Sequence, residues 1–452
     1  MEVGLKIDLP EHVQAIIGKL EEAGYEAYAV GGCVRDSLIG RIPGDWDITT
    51  SAKPGEVKAL FARTVDTGIQ HGTVTVLMDK MGYEVTTYRV DGEYEDGRHP
   101  REVEFTASLL EDLKRRDFTI NAMAYNDRCG IVDIFGGRQD LKDKIIRCVG
   151  DAMERFSEDA LRILRAVRFS AQLGCTIAES TRQAVSSLAG NLKHISAERI
   201  QAELVKLLLS DNPQYLKDAW ELGITAVILP EFDAIMKQEQ NTPHHCFTVG
   251  GHTLKAMELV KPDKVLRLTM LFHDMGKPLV HSSDEEGRDR FYGHPDVSEE
   301  IAGRVMRRLR FDNDTIGKVC RLVKYHDTHP VLKPANVRRL VHKVGNELFL
   351  SLLLVQEADI RAQSTYKREE KLEALLKLKE IYQDILRDSD CLSLKDLKIT
   401  GKDLIGDGMA PGRELGQVLQ GLLDDVLSEP EHNTKEYLLD AARKLRRQYN
   451  TP

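Results

Sequence analysis

Two aspartates one residue apart, Asp45 and Asp47, close the stretch GGCVRDSLIGRIPGDWD at residues 31–47. On a strand, a period of two puts both carboxylates on one face and Trp46 on the other. Carboxylates that close repel unless a cation sits between them. Gly31 and Gly32 open the same stretch. They let backbone N–H groups approach a ligand, and such a turn at a helix start attracts phosphate. Arg35 adds a forked guanidinium one turn later. Metal-binding and phosphate-binding groups this close together point to metal-assisted nucleotidyl transfer. A Gly-Gly turn followed by a solvated Asp pair is the plainer alternative.

Two further groups could do chemistry. In ERFSEDALRILRAVRFSAQL, residues 154–173, the residues Asp159, Arg162, Arg165 and Arg168 are spaced by three. On one helix they wind gradually round one side. Asp159 beside Arg162 offers acceptors and a donor fork, as the Watson–Crick edge of a base requires. The alternative is an ordinary surface ion pair worth little. Farther on stand His252, His273, Asp274, His294, His326 and Asp359, each on a helix or a loop flanking one. Neutral imidazoles with carboxylates suit one or two divalent transition metals. His273 and Asp274 are adjacent and cannot share a helical face, but a helix end lets both reach one metal. His244, His245, His281, His329 and His342 fit this pattern less well.

The elements that must position these groups follow from the patterning. Residues 10–24 read as an amphipathic helix through Val13, Ile16, Ile17 and Leu20. Strand, glycine turn, short helix and the Asp-bearing strand come next. A helix over 54–62 precedes β-rich runs at Thr73–Met78 and Tyr83–Tyr88, parted by a turn at Asp79–Gly82. Glu84 lies on the second run, either as a third carboxylate beside the metals or as an exposed strand glutamate. Residues 89–101 form a polar, glycine-containing loop. Residues 111–125, EDLKRRDFTINAMAY, read as a helix that Arg115, Arg116 and Asp117 enter before an apolar run. A short strand at Ile131–Ile134 precedes the DIFGG turn. Residues 176–230 are helical, with Ser196 as a cap. Pro230 and the polar run Lys237–Pro243 mark a boundary. Charged amphipathic helices at 366–388, Gly412–Leu427 and 435–448 complete the chain.

The 452 residues suffice for roughly three domains. A net charge of −9 gives no overall basic field, so any nucleic-acid surface must be concentrated on one face. The seven cysteines are scattered and never form C-x-x-C. That argues for a reducing compartment, the cytoplasm, and against a disulfide framework. The longest apolar run, Leu348–Val355, is too short to span a bilayer, so no membrane association is expected.

In order along the chain, GGCVRD with GDWDITT, RRDFTINAMAY, DIFGG and EDALRILRAVRFSAQLG resemble the motifs of the bacterial-type (class II) tRNA nucleotidyltransferase and poly(A) polymerase family. The likeness runs through residues 25–210 and resumes at 396–445. Residues 245–360 resemble an HD-type metal-dependent phosphohydrolase. The resemblance implies an α+β protein. A polymerase-β-like nucleotidyltransferase head with a mixed sheet occupies 1–150. An all-α neck and body with a base-recognition helix follow at 151–235, then an HD-type domain at 240–365 and a tRNA-binding tail at 366–452. It implies that Asp45 and Asp47 hold two Mg²⁺ ions and that Gly32 and Arg35 bind the triphosphate. Arg116 and Asp117 would sit at the nucleotide's sugar and phosphates. Asp159 and Arg162 would pair with the base, and Arg165 and Arg168 would line its pocket. The partners it implies are CTP, ATP and the acceptor end and elbow of tRNA.

Within the family, TGIQHGTVTV at 67–76 resembles the CCA-adding side, and 89–105 resembles the flexible loop of complete CCA-adding enzymes. Poly(A) synthesis and CC-only or A-only addition are the alternatives. For the HD-type part the choice is between phosphohydrolysis of RNA ends and a nucleotide- or metal-sensing module without catalysis. The metal of that site and the oligomeric state are not legible in the sequence.

Overall fold

A computed structural model describes residues 6–91, 103–388 and 390–449 of the chain. The chain divides into two compact units, Met1–Pro230 and Glu231–Pro452, with the break where Pro230 interrupts the helical pattern.

The first unit is organised by short strands, of which Ala27–Val30, Ile48–Thr50 and Met123–Asn126 are buried throughout. β1 (Ala27–Val30) and β2 (Ile48–Thr50) flank the helix Gly32–Leu38. β3 (Thr64–Gly68), β4 (Thr73–Met78) and β5 (Met81–Thr87) follow. β3 is a strand that the patterning does not signal, because its middle residues are exposed. The turn between β4 and β5 narrows to Asp79 and Lys80, both at positive φ, with Met78 opposite Met81. β6 (Arg89–Asp91) and β7 (Val103–Phe105) pair antiparallel as a separate ribbon. Most of the loop expected over 89–105 lies outside the described residues. β8 (Met123–Asn126) and β9 (Gly130–Asp133) complete a mixed seven-stranded sheet in the order β3-β4-β5-β2-β1-β8-β9.

Burial on both faces explains how so short a β1 holds an interior place in the sheet. Ala27 and Ala29 face a core that includes Val13, Ile16 and Leu20 of the helix Glu11–Glu22. Tyr28 and Val30 face a second cluster with Tyr88, Leu113 and Ala124. Each fully buried aliphatic side chain contributes about 1.5–3 kcal/mol.

Three expectations are corrected here. Asp45 and Asp47 are not on a strand: β2 begins at Ile48, where pairing with Ala29 starts. The Asp47 carbonyl still accepts the Val30 N–H at 3.0 Å, so the alternation persists. Trp46 packs on the core, while Asp45 and Asp47 line a cavity. Residues 111–125 are not one helix. The helix Leu109–Lys114 ends there, Thr119–Asn121 form a single 3₁₀ turn, and Met123–Asn126 become β8. Met and Ala favour helix in isolation, but Met123 and Tyr125 fill one face of the sheet and Ala124 the other.

Residues 154–173 are likewise not one helix but Ala152–Glu158 and Leu161–Leu173. Asp159 leaves the helical backbone (φ −136°, ψ 101°), and its Oδ1 accepts the Leu161 N–H at 3.0 Å. This is the capping that short acidic side chains favour. At Ser196, by contrast, the helix Ala197–Leu208 begins with no side-chain capping bond.

The second unit is helical except for the two-residue ribbon Ser282–Ser283 with Asp289–Arg290. One cluster of buried side chains, including Phe349, Leu352, Tyr382, Leu422 and Val426, runs from Leu322 to Ala442. Among the described residues no helix is long and apolar enough to cross a membrane.

Candidate active site and metal centre

In the first unit one cavity of about 460 Å³ is lined by Gly32, Arg35, Asp45, Asp47, Arg116, Asp117, Asp159, Arg162, Arg165 and Arg168. All ten nucleotide-site residues singled out from the sequence, six from 1–150 and four from 151–235, thus meet there. Gly31 bends the chain into it at φ 83°. A Cβ at Gly31 would stand 2.9 Å from Arg116 Nη1, a guanidinium end that can shift, so it is the positive φ that favours glycine here.

The cavity is held by fixed charge. Asp112, fully buried, receives Thr49 Oγ1 at 3.0 Å, Arg115 at 2.7 Å and Arg116 at 3.7 Å. Arg35 donates to Asn121 Oδ1 at 2.7 Å, and Asn121 Nδ2 donates to Asp117 at 3.1 Å. Arg165 grips Asp117 through Nε and Nη2 at 2.8 and 2.6 Å. Burial pushes the Asp117 carboxyl up, but the Arg165 charge and the bonds from Asn121 and Arg165 outweigh it and hold it at about 2. Arg168 is spent on Glu203 at 2.7 Å and lies 3.5 Å from the centre of the Phe169 ring. Its surroundings lower its pKa to about 10, through burial first.

Asp159 and Arg162 do not pair with each other, contrary to the side-by-side arrangement expected. Asp159 Oδ2 accepts from Arg199 at 2.7 Å. Arg162 donates to Glu158 at 2.8 Å and to the carbonyls of Arg155 and Arg115 at 3.1 and 3.0 Å. The helix break moves Asp159 off the turn that would have set it against Arg162. Acceptor and donor therefore reach the cavity separately. Arg199, Asn121 and Phe169 also line it and were missed in the sequence. Arg199 lies 40 residues from Asp159, and only the fold joins them.

At the mouth, Asp47's carboxyl is raised, by burial first and then by Asp45 and Glu84, against the lowering effect of Arg116. β5 runs parallel beside β2, with Val85 opposite Ile48. That sets Glu84 beside Asp47, although Glu84 does not line the cavity. Two further carboxylates that raise the proton affinity of Asp47 make an arrangement that a divalent cation relieves.

The second unit gathers the other six residues. His252 lies on Val249–Leu259, and His273 and Asp274 follow the end of Lys264–Phe272. His294 starts His294–Arg308, His326 ends Asn313–Tyr325, and Asp359 lies on Asn346–Ala362. His273, His294 and His326 have Nδ1 at 2.7, 2.9 and 2.6 Å from the carbonyls of Met270, Phe291 and Val323. A carbonyl only accepts, so each Nδ1 carries the hydrogen and each Nε2 offers a lone pair inward. His273 and His252 Nε2 stand 3.3 Å apart, and His294 and His326 Nε2 3.2 Å apart. Asp274 lies between the two pairs, 3.2 Å from His273 and 3.3 Å from His294. Asp359 closes on His252 at 2.8 Å.

Two groups could each hold a metal ion: His252, His273 and Asp274, and Asp274, His294 and His326. Facing lone pairs with a shared carboxylate fit divalent cations and leave few other neutralisers. Burial lowers the His273 pKa, but Asp274 and Asp359 outweigh it and raise it to about 10, so a metal ligated there takes the place of a proton on Nε2. Gly276 lets the His273–Asp274 turn press on the neighbouring helix, since a Cβ there would meet the His294 carbonyl oxygen at 2.7 Å. The cavity beside this cluster, about 350 Å³, is also lined by His244, His245, Lys277, Tyr292 and Lys371. His245, set aside in the sequence, packs edge-on against His252 with ring centres 5.1 Å apart.

Residues 27–147 match the poly A polymerase head domain, 174–236 the RNA- and SrmB-binding site of polymerase A, and 290–442 the tRNA nucleotidyltransferase domain 2. A CCA-adding enzyme of Levilactobacillus brevis is 53% identical over 432 residues, 95% of this chain and 97% of that protein. One from Leuconostoc mesenteroides is 57% identical over 199 residues, 44% of this chain and 50% of its own length. A solved CCA-adding enzyme of Bacillus stearothermophilus in complex with CTP superposes with a TM-score of 0.73 at 31% identity, covering 98% of this chain and 99% of that one.

Proposed function

Because the chain belongs to the family of CCA-adding enzymes with a poly A polymerase head, we propose that it adds CCA to the 3′ end of tRNA from CTP and ATP without a nucleic-acid template. The 3′-OH of the RNA attacks the α-phosphate, and pyrophosphate leaves. Asp45 and Asp47 are the residues to hold two Mg²⁺ ions, which would activate the attacking hydroxyl and stabilise the charge of the triphosphate. Gly32 and Arg35 receive the triphosphate, and Arg116 and Asp117 the sugar and phosphates. Asp159 and Arg162 read the base, while Arg165 and Arg168, tied to Asp117 and Glu203, fix the pocket around it.

What supports this reading is the meeting in one cavity of the glycine turn, Arg35 and the Asp45 and Asp47 carboxylates with Asp159 and Arg162, the set of donors and acceptors that a triphosphate, its metals and a base edge require. The head is assigned to 1–150, the base-reading neck and body to 151–235, the HD-type part to 240–365 and the tRNA-binding tail to 366–452. The tRNA acceptor end and elbow are held by phosphate and shape contacts, in the cytoplasm.

The test uses a tRNA transcript ending at the discriminator base, incubated with Mg²⁺ and with CTP and ATP singly and together, its 3′ ends then sequenced. CCA followed by arrest is expected. Arrest at CC would shift the assignment to partial addition, and long A-tails to poly(A) synthesis.

A second reading concerns the histidine cluster. Four inward Nε2 atoms with two carboxylates favour metal-dependent phosphohydrolysis of RNA ends over a sensing module. The metals would supply an activated water and neutralise phosphate charge. Asp274→Ala should abolish metal-dependent hydrolysis of bis-p-nitrophenyl phosphate and spare nucleotide addition. Hydrolysis that survives the substitution would sink the catalytic version.

A further inference from the structure

The helix Arg368–Arg387 carries two apolar rows where its own core needs one. Leu378, Tyr382 and Ile385 point inward and join the core of the second unit. Leu372 and Leu376 lie on another side. There, with Leu350 and Leu354 of the helix Asn346–Ala362, they line a groove of about 790 Å³. Leu350, Leu354 and Leu376 are 51, 43 and 56% exposed. A single exposed leucine is ordinary on a protein surface. A row of them along two neighbouring helices is a surface suited to being covered by another chain.

The charges around the groove select that chain. Glu369, Leu372, Leu376 and Lys379 follow at spacings of three, four and three, the repeat of a helix seam that packs on another helix. The spacing reads the same from either end, with the end charges exchanged. Glu369 and Lys379 are both exposed. Among the described residues neither makes an ion pair or a side-chain hydrogen bond. Their neighbours are paired within the fold: Glu373 with Lys377 and Glu357 with Arg361, each at 2.8 Å. In the groove lining Glu357, Glu369 and Glu373 outnumber Arg361 and Lys379, which disfavours RNA.

We propose that a second copy of this chain docks on this face, with the helix Arg368–Arg387 antiparallel to its own two-fold mate. An axis level with Ala374 sets Leu372 of one copy beside Leu376 of the other, and Glu369 beside Lys379. Two-fold symmetry makes each contact twice. Leucine meets leucine and carboxylate meets ammonium, while Leu350 and Leu354 flank the seam. Sliding one copy by about a turn would set Leu372 against Glu380 instead. A parallel pair would set Glu369 against Glu369 and Lys379 against Lys379. The face is small for a permanent interface, so the dimer is weak, with Kd on the order of 10 µM.

The experiment is sedimentation velocity of the full chain over about 1–100 µM. A dimer fraction that rises through this range is expected. Leu376→Glu should raise Kd at least about tenfold. Lys379→Glu and Glu369→Lys, each alone, set like charges opposite each other and should raise it about fivefold. An equimolar mixture of these two single variants should recover the parent's dimer, because each chain supplies the charge the other has lost. A misfolded variant would not be rescued by mixing.

A chain that stays monomeric up to about 100 µM overturns the proposal, and so does a dimer that Leu376→Glu leaves intact. A dimer that Leu376→Glu breaks, but whose charge variants do not rescue each other, overturns the antiparallel register. If Leu376→Glu weakens tRNA binding and leaves sedimentation unchanged, the face belongs to RNA and the proposal falls.

Discussion

In the first cavity the buried carboxylates face guanidinium groups; in the second they face imidazoles. Asp112 meets Arg115, Asp117 meets Arg165, and Asp159 meets Arg199. Asp274 and Asp359 meet His252, His273 and His294. A guanidinium keeps its proton and cannot ligate a metal, so the first cavity is a rigid mould for anions and hydrogen-bonding edges. Its metal-type carboxylates stand apart at the mouth, on a segment without a strand's full hydrogen bonding. An imidazole whose Nδ1 is tied to a carbonyl has a fixed tautomer and a lone pair to give. The second cavity therefore has the donor set that divalent cations require. The two differ less in their acids than in which base sits opposite each acid.

Breaking the carboxylates should separate the two most sharply. Asp47→Asn should lower nucleotide addition by a factor on the order of 10³ or more, read as single-turnover incorporation of labelled ATP. Metal bound per chain in the second unit should stay the same. A modest loss would mean that Asp47 is not a metal ligand during the reaction. Conversely, Asp274→Asn should cut metal affinity of the second unit about 10- to 100-fold, measured by metal analysis after dialysis, with CCA addition within about twofold of the parent. If addition collapsed as well, the independence of the two sites would be lost.

A smaller effect tests the mould. Arg199→Ala frees the Asp159 carboxylate and should reduce discrimination of CTP against UTP about tenfold. The maximal rate with CTP should change less, and Arg199→Lys should recover part of the selectivity. Equal losses in rate and selectivity would point to a general structural role.

The smallest effect is in stability. Asp117 titrates at about 2 when folded, against an ordinary 3.8. A lowered carboxyl stabilises the fold above its unfolded pKa and loses that contribution as pH falls through the folded one. The contribution, about 2 kcal/mol, should fade between about pH 4 and 2. Asp117→Asn should flatten that part of the acid-denaturation curve. A slope as steep as the parent's would assign the acid sensitivity to other groups.

How much was legible follows from how far apart the parts lie in the chain. The glycine turn, Arg35 and the Asp pair occupy seventeen consecutive residues, so one local pattern carried them, even though the strand beneath them begins three residues after Asp45. The amphipathic helix Glu11–Glu22 and the boundary at Pro230 were equally local. The helix break at Asp159 was hidden because arginines spaced by three mimic a continuous helix. The strand Met123–Asn126 was hidden because Met123 and Ala124 prefer helix until a sheet is there to receive them.

Residue types by themselves determined which chemistry this protein can offer: paired carboxylates, a glycine turn, arginines that keep their charge, and a set of histidines. Side-chain pKa ranges and hydrogen-bonding capacity travel with the residue. Only the tertiary structure decided the pairings: Asp159 with Arg199, Asp117 with Arg165, and Glu84 beside Asp47. Electrostatic and hydrogen-bond partners are fixed by distances of a few ångströms between segments tens of residues apart, and a local pattern carries no information about those distances until the core has packed.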